Sequence, residues 1–225
     1  MAPQTLKDLV RDLLVKGELE EIAETAVGRR RVLGTLVSLT FDHDLEVAWR
    51  AVEAQGVAAE RLSEKNPSYV KEHVRRLYWL ITEESGGCLW RAPECMAECG
   101  ARMPRLLKSF VPIAFHLIET LEEEDLEHFR PGALWAVGRL IEVARESLPG
   151  VLPLVLSALE DPVSQSRGMA VWCLTQVGEG KALGERPALL QDEGAVQLYR
   201  NRFLETTTVA ALTQEALNGA VAEPA

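Results

Sequence analysis

The stretch from Asp161 to Gly178, Asp-Pro-Val-Ser-Gln-Ser-Arg-Gly-Met-Ala-Val-Trp-Cys-Leu-Thr-Gln-Val-Gly, decides the fold. An aspartate-proline turn opens it, a helical run from Val163 to Val177 follows, and Gly178 closes it. Five residues before that glycine stands a small residue, Cys173. The same pairing returns as Ala133 with Gly138, Cys95 with Gly100, and Ala51 with Gly56. The four glycines lie 44, 38 and 40 residues apart. A period of about forty residues with helical patterning predicts stacked helical hairpins. One hairpin cannot bury its own apolar stripe, so neighbours must stack, and small residues at a recurring position let the second helices approach closely.

Outward from this stretch, helical periodicity runs back to the N-terminus. Leu6, Leu9, Val10, Leu13 and Leu14 form one stripe, and Gly17 ends it. Leu19, Ile22, Ala23, Ala26 and Val27 repeat the pattern up to Gly28. Val32, Leu33, Leu36 and Val37 carry the next helix. Asp42-His43-Asp44 offers caps for a helix over Leu45 to Gln55. Asn66-Pro67-Ser68 opens a helix to about Thr82, because proline suits a first turn. A second helix follows from about Leu89 to Cys99. Pro104 opens one to about Glu122, and Pro131 opens its partner. The acidic run Glu122 to Asp125 reads as the turn between those two. Beyond Gly178 the pattern weakens. Ala195 to Thr206 reads as a β-hairpin turning near Asn201, and Thr207 or Thr208 caps a last helix to about Asn218.

The expected fold is therefore all-α, a right-handed superhelix of stacked antiparallel helix pairs with a short C-terminal β-hairpin. It reads as a single domain over 1–225. The marked repeats fall at about 28–56, 67–100, 104–146 and 149–178, between a helical cap at 4–27 and an atypical cap at 185–218.

These units resemble HEAT repeats, the armadillo-like pattern of paired helices. The fourth carries the resemblance through Asp161-Pro162, Ala170 and Val177-Gly178, and the first through Val47, Ala51, Ala54 and Gly56. The second departs from it with Pro93 and Glu94, and the third lacks the aspartate-proline turn. The stretch Glu84, Ser85, Gly86, Gly87, Trp90, Pro93 and Glu94 resembles a pattern of uncharacterised prokaryotic HEAT-like proteins, which implies no activity.

Composition bounds the function. The net charge of −10 argues against nucleic acid and anionic membrane surfaces, which draw on clustered Lys and Arg. Gly28-Arg29-Arg30-Arg31 is the best local basic patch, and a solvated helix face also accounts for it. No apolar stretch is long enough to span a bilayer, and the N-terminus lacks the pattern of a secretory signal, so a cytoplasmic address is expected. Cys88, Cys95, Cys99 and Cys173 form no disulfide or metal-ligand pattern and read as small core residues, with Cys88 the one expected to be exposed. His43, His73, His116 and His128 lack metal spacing, and His116 reads as a residue at the edge of the core. No cofactor, metal site or catalytic set is expected.

The segment from Tyr78 to Glu94 concentrates two tryptophans, paired glycines, three carboxylates and a proline. Such departures from local rules mark strained or functional places. The expected function is a non-enzymatic scaffold that binds a protein or peptide on a groove lined by the second helices. Trp90, Arg91, Glu94, Glu98, Glu84 and Ser85 form its expected binding centre. A core Trp90 with an Arg91–Glu94 pair on a solvated helix is the competing reading. The alternatives in function are a HEAT-like enzyme resembling bacterial alkylpurine DNA glycosylases, to which Trp79 and Glu83 on one helix face would be relevant, and a cofactor-handling protein resembling the HEAT-like bilin lyases.

Overall fold

The computed structural model describes residues 4–82, 91–113, 115–116 and 129–222. These gather into two compact units, one from residues 1–110 with 201–204, the other from 111–200 with 205–225.

The first unit is two layers of helices. Helices α1 (Leu6–Lys16), α3 (Arg31–Leu39) and α5 (Pro67–Thr82) alternate in sequence with α2 (Leu19–Gly28), α4 (Leu45–Ser63) and α6 (Ala92–Arg102). The second members stack in order, α2 on α4 and α4 on α6, and α3 and α5 each lie against α4. Local chemistry sets the ends. Thr5 and Asp8 form a capping box at the start of α1, Gly17 ends it at φ 74°, and Asp44 accepts from the amides of Glu46 and Val47 to open α4.

Several boundaries differ from the sequence expectation, among them α6, which runs past Cys99 to Arg102, and the last helix, which runs past Asn218 to Ala222. Helix α4 does not end at Gln55 but runs to Ser63, because Val57, Ala58, Ala59 and Leu62 prolong its buried stripe. Pro104 opens no helix: residues 104–110 form turns, and helical backbone begins again at Val111.

The recurring glycines explain the close stacking, and three of the four do not terminate anything. Gly56, Gly100 and Gly138 lie inside helices. A Cβ on Gly56 would stand 2.9 Å from the Glu98 carbonyl oxygen and 2.8 Å from Arg102 Cδ of α6. Only Gly178 ends its helix, at φ 81°.

In the second unit α9 (Ser164–Val177) is the central element, with α7 (Arg130–Leu140), α8 (Leu148–Ser157), α10 (Val209–Ala222) and the strand β1 (Ala195–Arg200) packed round it. Buried residues occur on every side of it, as a central helix requires. Gly138 of α7 repeats the close approach. A Cβ there would reach 2.6 Å from Trp172 Cζ3 and 3.3 Å from the Cα of Cys173, the small residue of the next repeat. Trp135 and Trp172 stack at 5.9 Å with 7° between their planes.

The expected hairpin is present. β1 pairs with β2 (Phe203–Thr208), and Asn201 and Arg202 turn the chain at φ 53° and 68°, as a two-residue hairpin loop requires. The outer edge of β1 is occupied by a side chain: Gln165 Nε2 donates to the Gln197 carbonyl and Gln165 Oε1 accepts from the Gln197 amide, both at 2.8 Å. Thr208 Oγ1 accepts from Ala211 N at 3.1 Å at the start of α10. His116 is exposed rather than at the edge of a core.

Candidate functional site

Helix α6 begins where proline permits it, with Pro93 in the first turn. Arg91, just before the helix, lays its guanidinium 4.1 Å from the centre of the Trp49 ring and places Nη1 3.5 Å from Glu94 Oε1. Glu94 and Glu98 are each only 4% exposed. Burial pushes the Glu94 carboxyl up to about 7, against the pull of Arg91. Glu98 Oε2 lies 3.5 Å from Arg102 Nε, and the same guanidinium reaches Glu60 at 3.4 Å and Glu53 at 3.9 Å. One arginine thus gathers carboxylates from both α4 and α6. Burial, reinforced by Glu98, pushes the Cys99 thiol up to about 12. Burial, reinforced first by Glu94, raises Cys95 well above the usual thiol range. Both stay protonated at neutral pH, and a protonated thiol is neither a nucleophile nor a metal ligand.

Of the six residues expected at a binding centre, the structure brings together Arg91, Glu94 and Glu98, on the inner side of α6 against α4. Trp90, Glu84 and Ser85 lie outside the described residues, as does Cys88. The ring on which Arg91 rests is that of Trp49 on α4, itself buried.

A second place was not anticipated. Between α3 and α5 lies an open groove of about 590 Å³, within the range of ligand-sized clefts. Arg31, Gly34 and Val37 wall it from α3, three residues apart and so on one face. Tyr69, His73, Arg76, Leu77 and Leu80 form the matching stripe on α5, with Trp79 at its rim. Trp79 is 58% exposed. The Tyr69 hydroxyl donates to the Arg30 carbonyl at 3.2 Å, and the Arg30 guanidinium stands 5.3 Å from the Tyr69 ring centre.

The floor is fixed from beneath by α4. Gln55 Nε2 donates to the Leu33 carbonyl at 2.9 Å, and Gln55 Oε1 lies 3.0 Å from His73 Nε2. Because that oxygen only accepts, Nε2 carries the imidazole proton. Burial, and then the charge of Arg76, push His73 down to about 4, so the ring is neutral at pH 7. The groove's charge therefore comes from its arginines. The sequence signals were present but separate: the basic run ending at Arg31, a glycine inside the α3 pattern, and a tryptophan off the apolar stripe of α5.

No group of three or more His, Cys, Asp or Glu able to hold a metal occurs among the described residues, and no helix among them is long and apolar enough to cross a membrane. No curated protein matches the chain. The family model of the HEAT-like repeat matches residues 127–177, the stretch that carries α7, α8 and α9. The fold is all-α, paired helices with a short C-terminal hairpin, and its stretch 127–177 is similar to a HEAT-like repeat.

Proposed function

We propose that this chain is a non-enzymatic interaction module that seats a segment of a partner protein in the groove between α3 and α5. The observation that carries the reading is the groove itself, an open apolar trough with the exposed indole of Trp79 at its rim. Helical repeats present extended surfaces for partners, and exposed Trp and Arg are favoured anchors of binding. The groove replaces α6 as the proposed centre because the Glu94 and Glu98 carboxylates face the interior.

Gly34 supplies the test. It is exposed within α3, and a Cβ added there would meet nothing within 4 Å. Gly34→Leu therefore fills the groove with a good helix former while leaving the packing untouched. An unbiased peptide display library is selected on the wild type and counter-selected on Gly34→Leu. Enrichment of related peptides that the folded variant rejects is the expected result. A library that yields no peptide sensitive to Gly34→Leu would overturn the proposal.

A further inference from the structure

We infer that the segment seated in the α3–α5 groove is acidic, with carboxylates on Arg31 and Arg76 and an apolar side chain against Trp79. This rests on the groove being the binding site. The chain as a whole carries 34 acidic and 24 basic residues, yet among the described residues no carboxylate lines the groove and two arginines do. Arg31 makes no ion pair with any of the described residues. Arg76 faces Glu72 at 3.6 Å, but that carboxylate is shared with Arg75 at 2.5 Å, and both arginines are more than half exposed. An exposed pair of this kind is worth little and gives way to a better partner. Arg30 is already held on the Tyr69 ring at the same end as Arg31, so positive charge at that end is preorganised. Guanidinium groups bind carboxylates through paired hydrogen bonds, which fixes the register of a ligand as well as attracting it.

Geometry gives the spacing. Tyr69 stands at the Arg30–Arg31 end, and Arg76 lies seven residues further along α5, roughly 10 Å at the helical rise. An extended segment covers that distance in about three residues. The fit is therefore two carboxylates about three residues apart, followed by an apolar residue that meets the indole. A nucleic acid would bring phosphates all along its length against a chain of net charge −10, whereas a short acidic peptide meets only the groove.

The test measures fluorescence anisotropy of a labelled ten-residue peptide with two glutamates three apart and a following leucine. Its glutamine counterpart and a ten-nucleotide single strand serve as comparisons. Wild type is expected to bind the glutamate peptide at least about tenfold more tightly than the glutamine one. Arg31→Gln should shrink that preference to a few-fold while leaving the glutamine peptide unchanged, and Gly34→Leu should abolish binding of both. Equal binding of the two peptides, lost in Gly34→Leu, overturns the acidic assignment and leaves the groove standing. Binding indifferent to Gly34→Leu, or none by any probe, overturns both. Tighter binding of the oligonucleotide, or a concentration-dependent dimer that Gly34→Leu dissolves, gives the groove a different occupant and overturns the inference.

Discussion

Glu94 is an acid held away from water with one arginine for company, and the sign of its effect follows. Its folded value of about 7 lies above the ordinary carboxylate range, so the folded state binds the proton more tightly than the unfolded chain does. Stability from this site is present at low pH and is lost as the pH rises through about 7. Glu94→Gln should flatten that dependence and raise stability at pH 8 by about 1–3 kcal/mol, with little change at pH 5. Urea unfolding at the two pH values checks it, and an unchanged difference between them would show that the carboxyl titrates normally. Two glycines give a sharper contrast. Gly34→Ala places a methyl in open space and should stabilise by up to about 1 kcal/mol through helix propensity. Gly138→Ala drives one against Trp172 and should cost about 1–3 kcal/mol despite the same gain. Thermal melts of the two variants should move in opposite directions.

At the scale of elements, most of the fold was legible and the exceptions have physical causes. Proline at the start of α5, the stripe of α1 and α2, and the hairpin near Asn201 each declare themselves in a few neighbouring residues. The length of α4 does not, because Gly56 looks like a terminator until the backbone of α6 is seen against it. Pro104 offers a helix start that the chain does not use. The Gln165 amide on β1 was invisible too, since nothing in the sequence says that a helical glutamine will occupy a strand's edge. Gln165→Ala removes two exposed hydrogen bonds and should cost about 1 kcal/mol. Hydrogen exchange at the Gln197 amide should quicken while α9 stays protected; unchanged exchange there would mean the edge is held by something else.

For the whole molecule, opposing titrations set the pH of greatest stability. Asp42 is held below the ordinary range by its hydrogen bond to Arg11 in the first unit, and Asp192 by its hydrogen bond to Arg167 in the second. Their contribution is present above the usual aspartate value and disappears as pH falls through the lowered ones. Glu94 acts in the other direction towards neutrality. Buried His73, held down to about 4, opposes Glu94 over much of the same range, so stability should form a broad plateau from about pH 4.5 to 6.5 and fall on either side. A melting profile across pH that peaks at 8 would contradict this balance. The candidate groove was harder to read than the fold for a related reason. Overall charge is a property of the chain, but a basic trough on an acidic protein arises only when Arg31 and Arg76, 45 positions apart, face the same space.

Gly178 bears on how such a chain can lengthen. Gly56 and Gly138 each receive the second helix of the following unit, α6 and α9, whereas Gly178 lies in a left-handed turn with nothing within 4 Å of where its Cβ would be. A gene duplication that copied the fourth unit behind itself would thus arrive with no berth. Growth by one unit at that end would need the turn rewritten as helix at the same time, two changes of which neither helps alone.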